Sequence, residues 1–166
     1  MSGSLYQRIV RHCSLPGAAA ILVLFSACSG HVADSGLQPL TITLNSGDRI
    51  HYRIELADDD SSRRRGLMYR RELPAEQGML LDFGHDRGAS IWMKNTYIPL
   101  DLIFINGEGS VVKLVSNAEP LVTRPVYREP TARAVLEVNG GQIAEHGIAV
   151  GDTVQFNPIF SRAAVE

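Results

Sequence analysis

Leu100-Asp101-Leu102-Ile103-Phe104-Ile105-Asn106-Gly107-Glu108-Gly109-Ser110-Val111-Val112-Lys113-Leu114-Val115 decides how this chain folds. Two apolar runs flank Asn106-Gly107-Glu108-Gly109, and a glycine-rich turn between such runs is the signature of a β-hairpin. In the first run Asp101 alternates with Ile103 and Ile105, which sets a carboxylate on an apolar strand face. A half-buried acid needs a partner, and Lys94 or Arg65 is expected to supply it.

The same grammar extends outward. Upstream, Ile50, Tyr52, Ile54 and Leu56 alternate with Arg49, His51, Arg53 and Glu55, and a turn at Asn45 to Asp48 joins them to Leu40–Leu44. Period two with one wet face predicts a second hairpin. Met79–Phe83, Ser90–Lys94 and Ala132–Val138 read as further strands, and Gly147–Phe156 as a tight turn and closing strand. Asp58-Asp59-Asp60 ahead of Arg63-Arg64-Arg65 complements a helix macrodipole, which predicts a short helix over Ser61–Met68. Gly140-Gly141 opens a turn or short helix to His146. Pro120, Pro125 and Pro130 make Ser116–Pro130 a long loop. The expected fold is mainly β (α+β): a compact small barrel or strongly coiled antiparallel sheet, with one or two short helices. It occupies 40–158 as a single domain, with 159–166 as a tail.

The amino-terminal end is different in kind. Arg8, Arg11 and His12 precede an apolar run from Leu15 to Phe25, and Ser26-Ala27 lead to Cys28. A basic start, a short apolar run and small residues describe a secretory signal over 1–27, too short to span a bilayer comfortably. Phe25-Ser26-Ala27-Cys28 resembles the lipobox of bacterial lipoproteins, with phenylalanine where leucine is commoner. Cys28 is therefore the expected lipidation site. Its acyl chains, at ~0.8 kcal/mol per buried methylene, would anchor the protein to a membrane. Residues 28–39 read as the lipidated cysteine and a flexible tether, of which the 11 residues after Cys28 reach ~35–40 Å at most. Ser29 stands where an aspartate signals inner-membrane retention in enteric-type bacteria, so the periplasmic face of the outer membrane is the expected location.

This reading leaves the mature domain without a thiol, since Cys13 departs with the signal and Cys28 is consumed by lipid. Thiol catalysis, thiolate metal sites and disulfides are thereby excluded. Arg8 and Arg11 also depart, so 14 of the 16 basic residues face 18 acids, a net charge of −4. That balance argues against nucleic acid as a partner.

Several segments together resemble one family, the domain of unknown function 192. They are Arg65-Gly66-Leu67-Met68 with Arg70, Leu73-Pro74, Gly78-Met79-Leu80 with Phe83, and Trp92-Met93-Lys94-Asn95-Thr96. The match runs on through Ile98-Pro99-Leu100-Asp101, Phe104-Ile105, Val135-Leu136-Glu137-Val138 with Gly140, and Gly147-Ile148 with Gly151-Asp152. The resemblance implies one small β-rich domain, often exported, and it supplies no activity and no catalytic residues.

Candidate site residues come from the chain itself. Trp92, Lys94, Asn95 and Thr96 offer a stacking ring, a point charge and amide and hydroxyl partners where a strand should end. The competing reading makes Trp92 core and gives Asn95 and Thr96 to the Ile98-Pro99 turn. Arg63, Arg64, Arg65, Arg70 and Arg71 are either a solvated face or a grip for a phosphate, a carboxylate or lipid headgroups, with Arg65 the foremost candidate. Together Trp92, Lys94, Asn95, Thr96, Asp101 and Arg65 would form the ligand-binding surface of a non-enzymatic binding or envelope-interaction domain. A hydrolase or transferase using Asp101 with Lys94 is one alternative. A copper carrier through Met68, Met79 and Met93, with His51 or His85, is another, although methionine is ordinarily core filler. No cofactor or catalytic metal is expected, because the nucleophile-elbow, zinc-protease, phosphate-loop and dinucleotide patterns are absent from the sequence.

Overall fold

Backbone groups in apolar runs find their partners in a sheet, and here they do so in one seven-stranded sheet. The computed structural model describes residues 36–125, 127–157 and 159–160. The signal segment, Cys28 with most of its tether, and the tail from residue 161 lie outside the described residues.

β1 (Gln38–Thr43) and β2 (Arg49–Ala57) form the expected hairpin, with Leu40 opposite Tyr52 and Ile42 opposite Ile50. After α1 (Asp60–Arg65) come β3 (Gln77–Ile91), β4 (Leu100–Ile105) and β5 (Val111–Ala118). β6 (Tyr127–Asn139), α2 (Gln142–His146) and β7 (Thr153–Gln155) complete the chain. Across the sheet the order is β5-β4-β6-β3-β2-β1-β7. β2 and β3 run parallel, and the other pairs are antiparallel. A bridge from Ser110 to Thr153 ties the β4–β5 turn to β7, so the two margins meet and the sheet curls into a half-barrel.

Curling creates two apolar layers. Leu40, Ile42, Ile54, Leu80, Ile103, Leu136 and Phe156 pack on the concave face, where Val111 and Val154 from the opposite margins also converge. Alternate residues of the same strands, Met79, Leu81, Leu102, Phe104 and Val135, form the second layer with Leu67, Leu73 and Met93 from connecting segments. β4 consequently buries all six of its residues, which is why Leu100–Ile105 reads as a nearly continuous apolar run.

Several boundaries differ from expectation for identifiable reasons. The helix is shorter, because Gly66 at φ +47° turns the chain after Arg65. Its start is as the acids suggest: the Asp59 carboxylate accepts from the Ser61 and Ser62 amides, and Ser62 returns a bond to the Asp59 backbone. Met79–Phe83 and Ser90–Ile91 are parts of one long strand, interrupted by register shifts between Asp82 and Ala89. Pro130 falls inside the matching irregularity of β6, where no ladder hydrogen bond is asked of it, so the loop shrinks to 119–126. β1 begins at Gln38, two residues before the expected domain edge. Phe160, assigned to the tail, is buried and bridged to Phe156.

Candidate functional site

Asp101 sits on the concave face and is 0 % exposed. Neither Lys94 nor Arg65 pairs with it. Its two carboxylate oxygens accept from the Asn117 and Ile143 backbone amides, each at 2.7 Å. It thereby satisfies one amide at the positive-φ end of β5 and one at the start of α2. The sequence suggests a cation because it displays side chains alone, whereas a helix start and an irregular strand end leave backbone donors unpaired.

Trp92 to Thr96 is a turn and not a strand end. The Thr96 amide donates to the Met93 carbonyl at 3.1 Å, and Asn95 takes φ +57°, which asparagine tolerates better than most residues. Met93 is core. Asn95 Nδ2 donates to the Tyr69 hydroxyl at 2.8 Å, and its carbonyl accepts from the Tyr69 amide. Thr96 Oγ1 lies 3.4 Å from the Lys94 carbonyl. Lys94 Nζ stands 5.5 Å over the Trp92 ring. Asn95 and Thr96 therefore serve the turn. Trp92 and Thr96 also face a cleft, which Lys94, Asn95 and Asp101 do not line.

That cleft, of about 250 Å³, lies between the α1–Met68 segment and the outer face of β3. Its apolar walls are Leu67, Leu81, Phe83, Ile91 and Trp92. Arg63, Arg64, Arg65 and Arg87 line it too, against the acids Asp60 and Glu137. The four cations are not equivalent. Arg63 is spent on Asp60 and on the Asp58 and Asp82 carbonyls. Arg64 reaches Asp60 only at 4.0 Å. Arg87 lies 5.8 Å over the Phe83 ring, and neither it nor Arg65 forms an ion pair among the described residues. Both are exposed and available.

Glu137 was missed by sequence reasoning. It projects from β6 onto the outer face, is only 4 % exposed, and its Oε2 has no hydrogen-bond partner. Burial pushes its carboxyl up to about 7, against the opposing pull of the Leu67 amide and the Arg70 charge. Arg70 itself is held by Glu55 through two bonds of 2.7 and 2.6 Å, which straps this segment to β2. Gly66 covers the orphan oxygen with nothing but hydrogen: a Cβ there would stand 3.3 Å from Oε2. The signal was present, since Glu137 interrupts Ala-Val-Leu-Glu-Val as Asp101 interrupts its own apolar strand. Arg87 was hidden because Gly84-His85-Asp86-Arg87-Gly88 reads as a loop.

The methionines divide. Met79 and Met93 are core, and Met68 lines the cleft with its sulfur 3.9 Å from Asn95 Nδ2. Among the described residues no group of three or more His, Cys, Asp or Glu side chains gathers to hold a metal.

Solved structures resemble this one, two among them as follows. A Sinorhizobium meliloti 1021 protein, described as a candidate transcription regulator, is 37% identical with a TM-score of 0.70, over 72% of this chain and 92% of its own. A Novosphingobium aromaticivorans DSM 12444 protein of unknown function is 41% identical with a TM-score of 0.68, over 75% of this chain and 89% of its own. No curated protein matches the chain. Residues 41–156, from β1 to the end of the closing strand, match the family described as DUF192, an uncharacterized ACR. The chain belongs to the domain of unknown function 192 family.

Proposed function

We propose that this protein is an exported lipoprotein, tethered through Cys28, whose β domain binds a small anionic ligand without transforming it. The observation that carries the binding reading is the cleft beneath α1, where Arg65 and Arg87 stand uncommitted beside the Trp92 ring. A cleft with apolar walls and a few convergent polar groups is the ordinary form of a small-molecule site. Guanidinium groups suit carboxylate or phosphate. The uncleaved chain carries a net charge of −2, and three acids adjoin the arginine run, which counts against a nucleic-acid partner.

A non-enzymatic role is supported by how the acids are used. Asp101, the carboxylate once paired with Lys94 in a hydrolase or transferase reading, is occupied by backbone amides and lies outside the cleft. Export is supported by the basic, apolar and small-residue zones that end at Cys28.

Two measurements test these halves separately. Binding of short carboxylates and inorganic phosphate, followed by calorimetry, should weaken about ten-fold in Arg65→Ala for the loss of one charged hydrogen-bond donor. Wild-type affinity in both that variant and Arg87→Ala rejects the cleft as the site. Mass spectrometry of the native protein should find a chain starting at an acylated Cys28. An unmodified cysteine in a chain that begins at Met1 rejects the tether.

A further inference from the structure

The arginines alone leave Glu137 unexplained. A carboxyl group shielded from water loses solvation that a neutral side chain of the same shape would not need, so an unpartnered one is a cost that the fold carries. Glu137 lines the cleft, and its buried Oε2 is covered there by Gly66, the one residue type that sets no side chain over it. Arg70, the cation whose charge acts on it, is committed to Glu55. The Leu67 amide already serves the carboxyl, so it is Oε2 that lacks a donor, and the cleft is the side from which a ligand could supply one.

We propose that the ligand is a small zwitterion, an amino acid in the broad chemical sense, whose ammonium group meets Glu137 while its acid meets Arg65 and Arg87. This rests on the cleft being the binding site. The walls give the third requirement. Leu67, Phe83 and Trp92 line the same cleft and call for a ligand with an apolar body. About 250 Å³ holds roughly ten non-hydrogen atoms, judged against benzene filling a cavity of ~150 Å³. An ω-amino acid or an aminomethyl-aryl acid has that size and polarity. The raised affinity of Glu137 for its proton agrees with this assignment, since an empty site leaves the carboxyl uncompensated.

The test compares matched probes on the intact protein by calorimetry. 6-Aminohexanoate is set against hexanoate, and 4-(aminomethyl)benzoate against 4-methylbenzoate. The amine should improve affinity about ten-fold or more, the value of one charged hydrogen bond in a dry site. In Glu137→Gln that advantage should collapse while the plain acids bind as before, and Arg65→Ala should weaken both members of each pair. Plain acids that bind as tightly as their amino partners to the wild-type protein overturn the zwitterion and leave the anion site standing. If neither member of either pair binds, the binding reading falls with it. The wild-type comparison decides the matter even if Glu137→Gln does not fold.

Discussion

Glu137 and Asp101 are two acids buried in strands of one sheet, and they differ in what their oxygens touch. Glu137 holds its proton to about pH 7, whereas an ordinary glutamate releases it at 4.5. Between those values the folded chain binds a proton that the unfolded chain has lost. Stability therefore falls as pH rises through that window, by at most roughly 3 kcal/mol, and levels off above it. Arg70 and the Leu67 amide, which oppose the shift, keep the loss below what burial alone would impose. Melting temperatures of Glu137→Gln should lack this decline and exceed those of wild type at pH 8. A wild-type profile that rises across pH 5 to 7 would contradict the assignment. Asp101 has no such slack, because both oxygens hold backbone amides. Asp101→Ala strands two donors and should cost about 2–5 kcal/mol in denaturant unfolding. Carboxylate binding at the cleft should be unaffected in that variant wherever it remains folded. A loss of binding out of proportion to stability would return Asp101 to the site.

At the scale of elements, α1 is a single turn and a half whose position depends on its ends. Asp59 fastens the first turn, and the Gly66 turn lays Leu67 into the outer layer beside the Glu137 carboxyl. Asp59→Ala should lower the melting temperature by no more than a few degrees, as for the loss of an exposed cap. It should also weaken cleft binding, because the arginine run loses its mounting. Unchanged ligand affinity would show that the arginines are placed by other contacts. How far the sequence discloses these elements depends on the range of the interaction. The β4–β5 hairpin and the capping of α1 are legible because turn and cap chemistry act within a few residues. The parallel pairing of β2 with β3 is not, since Arg53 to Gln77 is a non-local match that no adjacent residue encodes. Arg65, Trp92 and Thr96 line the cleft, while Lys94 and Asn95 fall to the turn because a positive-φ residue ends the strand alternation that grouped them. Glu137 is the instructive omission: the reasoning that singled out Asp101 applies to it unchanged.

For the whole molecule, closure matters more than any one strand. β7 has only three residues, yet Val154 and Phe156 sit in the concave core with Phe160, and the Ser110–Thr153 bridge closes the curl. Phe160→Ala should cost about 3–4 kcal/mol in unfolding free energy, as for a large core truncation. A loss below ~1 kcal/mol would mean that the segment after β7 is dispensable. In the cell, Cys28→Ala should move the protein from the membrane fraction to a soluble one without altering the melting point of the domain. The parallel β2–β3 pair has one more consequence. Parallel neighbours cannot be joined by a tight turn, so the chain must travel from Ala57 to Gln77 by a detour, and that detour carries Arg63, Arg64, Arg65 and Leu67. Part of the cleft's chemistry, that of Arg65 and Leu67, thus rides on an exchangeable strap, while Arg87 and Glu137 belong to the sheet beneath it, so a transplanted 58–76 segment should change how tightly acids bind and leave the preference for an amine in place.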